Sequence, residues 1–121
     1  MKKFRFRKFP VYNDARQFRK ELKELSKKRF PEEEQFCLTS QMWRALDSII
    51  LNIAEGTDRN TDKDFAHFLN QSHTSLNEVV SCLDLALDDD YINEIEHMNY
   101  LLKAENIGDQ LTALRQTVLN S

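Results

Sequence analysis

Asp58, Asn60, Asp62 and Asp64 stand at alternate positions, a spacing of oxygen donors that opens a calcium-binding loop. Such a loop also needs glycine at its sixth position for a sharp turn and glutamate at its twelfth as a bidentate ligand. Lys63 and Leu69 occupy those places, so the acids read as a helix cap. His67, His73 and His97 lack zinc-ligand spacing, and Cys37 and Cys82 form no Cys-x-x-Cys pair. Both cysteines fall in amphipathic stretches, where a small apolar role fits better than nucleophilic catalysis. Gly56 and Gly108 are the only glycines and are too far apart to build a phosphate-cradling loop. No enzyme activity, metal or cofactor is expected.

What remains is charge. Residues 1–30 hold 12 Lys/Arg against Asp14, Glu21 and Glu24, a balance of +9. Residues 31–121 hold 5 cations and 17 acids, a balance of −12, so the overall −3 conceals a dipole written along the chain. Two readings follow. In one, the basic segment meets RNA or DNA: Lys2, Lys3, Arg5, Arg7, Lys8, Arg16, Arg19, Lys20 and Lys23 make sequence-independent phosphate contacts, and the interleaved Phe4, Phe6 and Phe9 stack on unpaired bases. In the other, the chain is a structural or adaptor bundle that binds a protein partner, and its cations face acidic neighbours. Cations gathered on one exposed face favour the first; pairing with the acids of residues 31–121 favours the second.

These residues need a scaffold. With 121 residues, 40% of them hydrophobic, the chain can bury one core, and two glycines and two prolines leave few places to turn. Long helices are expected. No apolar run approaches the ~20 residues that span a bilayer, and the basic N-terminus lacks the apolar stretch of a secretory signal. Two isolated cysteines suit a reducing, cytoplasmic compartment. Val11, Ala15, Phe18, Leu22 and Leu25 mark one helical face over 10–28. Pro31 ends that helix and, with Glu32, Glu33 and Glu34, suits the first turn of the next, over 32–55. Its core stripe is Leu38, Met42, Ala45, Ile49 and Ile53, and Gly56 is expected to stop it in the left-handed conformation. Thr61 and Asp64 cap a third helix over 62–88, and Asn93 a fourth over 93–119, with Ile95, Met98, Leu102, Ile107, Leu111, Leu114 and Val118 facing inward. Residues 1–9 form a basic arm in which the alternating Phe4 and Phe6 admit a short strand.

The predicted architecture is therefore all-α, an antiparallel up-and-down four-helix bundle over residues 10–121. Helices two and three carry a second stripe each, Phe36, Trp43 and Ile50 on one and a small-residue seam with Ser72 and Ser75 on the other. Surplus apolar surface points to a partner. An antiparallel turn near residues 58–59 also places Cys37 and Cys82 at similar height without requiring a bond.

Between Leu38 and Val79, the residues Leu38, Gln41, Arg44, Ala45, Ser48, Ile49, the run Asn52-Ile53-Ala54-Glu55-Gly56, Arg59, Phe65, Phe68 and Leu69 follow one another in a recognisable order. That order resembles the signature of the four-helix-bundle proteins encoded by 23S rRNA intervening sequences. The resemblance implies a ring-like homopentamer, which would use the surplus apolar surface of helices two and three. The similar-looking accessory proteins of diversity-generating retroelements are pentameric bundles that engage nucleic acid and a reverse transcriptase. Two positions depart from the pattern: Trp43 replaces the first of two arginines, and Thr74 replaces a glycine before Ser75. The polar motif residues Arg44, Ser48, Asn52, Glu55 and Arg59 read as structural before they read as a binding site, since such groups at a buried helix end satisfy backbone carbonyls or pair with carboxylates.

Overall fold

In a computed structural model, which describes residues 3–121, the stepped apolar residues of the first segment form α1 (Pro10–Arg29). Pro10 occupies its first turn, where the missing N–H costs nothing. Val11, Ala15, Phe18, Leu22 and Leu25 are all buried, as their spacing predicts. Phe30, extended ahead of Pro31, ends the helix.

The second helix starts later than its sequence suggests. Glu32–Glu34 make one 3-10 turn, and α2 runs Leu38–Thr57. Glu34 explains the break. One carboxylate oxygen accepts the Leu38 N–H at 3.4 Å, a cap from outside the helix, and the other accepts the Tyr91 hydroxyl at 2.8 Å. Phe36 is thereby left in the connection, 86% exposed, and the stripe expected from Phe36 through Trp43 to Ile50 is broken at its first member.

α3 (Asp62–Asp88) and α4 (Glu94–Leu119) begin at caps the sequence announces. Thr61 Oγ1 accepts from the Asp64 N–H at 3.1 Å. Asn93 and Glu96 exchange side-chain and backbone hydrogen bonds at 2.8 and 3.0 Å, a full capping box. The four helices form an up-and-down bundle in which chain neighbours pack together and α4 closes against α1. Among the described residues there is no strand; the N-terminal stretch forms a 3-10 turn at Arg5–Lys8, packed on α1 and α2.

Two further expectations are corrected. Gly56 lies inside α2 with ordinary helical geometry, not at a left-handed stop. Its missing side chain serves close packing: a Cβ there would sit 2.8 Å from a ring carbon of Phe65 and 2.9 Å from Phe68 Cβ. In α4 the expected inward face holds for Ile107, Leu111, Leu114 and Val118 but fails over the first half of the helix. Ala104, Ile107, Gly108 and Leu111 are buried and Tyr100 packs on Phe18, while Ile95, Met98 and Leu102 are 82%, 55% and 59% exposed. Gly108 brings α4 close to α3, and that contact sets the helix phase: a Cβ there would stand 3.4 Å from His73 and Leu76.

A candidate nucleic-acid interface along α1 and α2

The polar motif residues fall into two groups. Ser48 Oγ meets Ser75 Oγ at 2.8 Å, Asn52 Nδ2 donates to the Ser48 carbonyl at 2.8 Å and to its hydroxyl at 3.0 Å, and Ser72 Oγ donates to the Ile49 carbonyl at 2.8 Å. This seam joins α2 to α3 within one chain. Ser72 and Ser75, expected to face another subunit, are therefore spent inside the bundle. Ile50 is buried as well. Trp43 packs on α1, its indole N–H donating to Ser26 Oγ at 2.9 Å and its ring lying 4.4 Å from the Lys23 ammonium and 5.8 Å from that of Lys27. Of the five residues expected at a subunit contact, only Phe36 is substantially exposed. A helix stripe spaced by seven looks the same from sequence whether a neighbouring helix of the same chain or of another covers it.

Arg59 closes the α2–α3 turn. Its guanidinium binds Asp64 at 2.8 Å and Glu55 at 3.1 Å and lies 4.9 Å over the Phe68 ring. The hydrogen bond that Arg59 donates to Asp64, with the charge of that carboxylate, raises the Arg59 pKa above its ordinary value. Glu55, Gly56 and Arg59 thus clasp the two helices.

Arg44 stands apart, exposed on the outer face of α2 with no ion-pair partner among the described residues. It lines a cleft of about 390 Å³ with Asp47, Leu51 and Glu55. A second cleft of about 710 Å³, formed by Arg16, Arg19, Lys20 and Asn13 of α1, shares Asp47 and Leu51 with it. A third, of about 910 Å³, lies under the N-terminal turn and shares Leu51 and Glu55. Leu51, 65% exposed, is common to all three, so they form one track along the α1–α2 face. Asp47 is met by Arg19 at 2.6 Å and Glu55 by Arg59, whereas Asp58, which lines the third cleft, has no ion-pair partner among the described residues.

The charges of α1 are sorted by side over most of its length, whereas at its end Lys28 and Arg29 share a cleft with Glu96 and Tyr100 of α4. Arg16, Arg19 and Lys20 line the track and Lys23 and Lys27 lie over Trp43 of α2. Glu21 meets Lys103 and Asp14 accepts from Gln110, both on α4. The Lys103 ammonium holds the Glu21 carboxyl below its ordinary pKa. Arg19–Asp47 and Arg29–Glu96 are the ion pairs that tie the basic segment's cations to acids beyond residue 30, among the described residues. Lys3, Lys8, Lys20 and Lys28 have no such partner there.

The N-terminal cations divide as well. Arg5 donates to the Thr57 carbonyl at 3.4 Å and lies 5.6 Å over the Phe65 ring, so it satisfies the C-terminal end of α2. Arg7 and Lys8 are exposed on the same turn, and Lys2 lies outside the described residues. Phe6 packs edge-on to Tyr12 at 5.0 Å and Phe9 is half-buried, whereas Phe4 is 58% exposed. Leu51 was not singled out from sequence, though an off-phase leucine on an otherwise polar face of α2 is a visible signal.

No cluster of three or more His, Cys, Asp or Glu is placed to hold a metal among the described residues, and no helix there is long and apolar enough to cross a membrane. Both cysteines are free thiols. The fold and this surface define a small helical bundle with a cation-rich α1 edge and a motif that knots α2 to α3. The chain belongs to the family of 23S rRNA-intervening sequence proteins, whose pattern matches residues 7–113. It is similar in fold to a crystal structure of a protein of unknown function from the S23 ribosomal protein family of Bacteroides thetaiotaomicron, with a TM-score of 0.78 and 24% identity over 87% of this chain and 97% of that one. No curated protein matches the sequence.

Proposed function

We propose that this chain is a non-enzymatic, cytoplasmic, self-associating protein that binds RNA or DNA through the basic edge of α1 and α2. The observation that carries the reading is the open cationic side of the first half of α1: Arg16, Arg19 and Lys20 line the track, while Asp14 and Glu21 turn toward α4. An adaptor bundle whose cations face its own acids would pair more of these lysines with residues 31–121. Phosphate contacts of this kind are independent of sequence and release counterions. Self-association, as the ring-like homopentamer that the family resemblance implies, would repeat the edge and raise avidity without a new contact. The exposed Ile95, Met98 and Leu102 of α4 supply an apolar stripe for it.

Fluorescence anisotropy with labelled RNA and DNA between about 50 and 200 mM salt tests the reading. Affinity is expected to fall steeply with salt, and joint reversal of Arg16, Lys20 and Arg44 to glutamate should abolish binding at the lower salt while leaving the helical spectrum unchanged. Failure of both nucleic acids to bind at low salt overturns it and leaves a protein-binding adaptor.

A further inference from the structure

Resting on the nucleic-acid reading above, we infer that the cleft under the N-terminal turn is a stacking site for an unpaired base, with Phe4 as its platform, so that the track selects single strands over duplex. Phe4 has φ 61° and ψ 40°, the left-handed conformation that a bulky L-residue rarely adopts. Backbone held in such a state collects at functional positions, where the surrounding structure fixes it. Here the fixing contacts are visible. The Phe4 carbonyl accepts the Arg7 N–H at 3.1 Å, Arg5 is latched to the end of α2, and Phe6 is seated on Tyr12. Together they hold the Phe4 ring edge-on to Phe6 at 6.3 Å with more than half of its surface open to solvent. It lines a cleft of about 910 Å³ with Lys3, Arg5, Leu51, Asp58 and the Arg59-paired Glu55, a size within the ordinary range of small-ligand sites.

The chemistry of the cleft matches a nucleotide in a strand. Phe4 offers a π-face, Leu51 an apolar neighbour, and the contiguous track leads past Arg44 to Lys20 and Arg16, where the following phosphates would lie. Base stacking on an aromatic ring beside a cationic groove is how sequence-tolerant single-strand binding is built. A base paired within a duplex has its faces covered by its neighbours and cannot use Phe4. Phosphate attraction alone carries no such preference, so strand selectivity separates this site from the basic edge.

The test uses the full chain, a fluorescein-labelled 12-nucleotide oligothymidylate and a duplex of the same length, with Phe4→Ala, Phe4→Leu and Phe4→Trp. The expected result is a roughly tenfold loss of single-strand affinity in Phe4→Ala and Phe4→Leu, retention in Phe4→Trp, and no change for duplex in any variant. Phe4→Leu keeps apolar bulk, so its loss identifies stacking and not area. Equal weakening of single strand and duplex, or no weakening of either, overturns the stacking site while the basic-edge reading stands if the reversal of Arg16, Lys20 and Arg44 still abolishes binding. Absence of wild-type binding to both probes overturns the two together.

Discussion

Ser48 and Ser75 face each other across α2 and α3 with their hydroxyl oxygens 2.8 Å apart, and the fully buried Ser72 bonds the Ile49 carbonyl one turn away. Small residues there bring two backbones of the same chain together. Ser72→Ala removes one buried hydrogen bond and should cost about 1 kcal/mol. Ser72→Leu forces extra volume into a site with no free surface and should cost about 1–3 kcal/mol or more. Urea unfolding measures both. Stability of Ser72→Leu equal to wild type would show that the seam is looser than these distances.

Gly56→Ala sets two effects against each other. Alanine gains about 1 kcal/mol in intrinsic helix propensity. Its Cβ would meet Phe68 Cβ at 2.9 Å, an atom next to the backbone that cannot rotate aside. The helices must separate, so the substitution should destabilise by about 1–3 kcal/mol. A thermal midpoint at or above that of the wild type would refute the close-packing account.

The thiols should differ sharply. Cys37 is exposed ahead of α2, whereas burial, aided by the Glu78 charge, pushes the Cys82 thiol up to about 11. At neutral pH a thiol reagent should titrate one cysteine quickly and the second only on unfolding. Two fast equivalents would contradict the buried placement of Cys82.

An alkaline limb should accompany this. The folded state holds the Cys82 proton above its ordinary 9.0, so its contribution is fully present below pH 9 and is lost as pH rises through about 11. Tyr91 acts in the same direction: its hydrogen bond to Glu34, with burial, raises its phenol from 10.0 to about 12. Stability should therefore decline from pH 9 upward, and Cys82→Ala should flatten the first part of the fall. A profile level through pH 11 would remove this linkage.

Ile95, Met98 and Leu102 should carry self-association. Because they are exposed, changing all three to glutamate should barely alter unfolding of the single chain while reducing the assembly to monomer in light scattering. A wild type that is already monomeric at micromolar concentration, or a triple variant of unchanged mass, would dispose of this surface.

The helices were legible in the sequence because periodicity and caps are local. The α1 face, Thr61 and Asn93 needed no knowledge of neighbours. The starts and phases that went astray depended on distant partners. The onset of α2 is set by Glu34 and its bond to Tyr91, 57 positions away, and the phase of α4 by its approach to His73 and Leu76. Gly56 could be read as a stop or as a contact, and only Phe65 and Phe68 decide between them. At the candidate site the cations were visible, but not which would be occupied. Arg5 looks like any surface arginine until Thr57 is seen beside it.

The sorting of charge on α1 gives the molecule two electrostatic signs at one pH. With a net charge of −3 and a pI near 5.6, it should behave as an anion by isoelectric focusing. At low ionic strength it should nonetheless be held by sulfonate resin through its α1–α2 edge and by quaternary ammonium resin through its opposite side. Its chromatography would then be governed by which side faces the bead, a property that no bulk charge value describes.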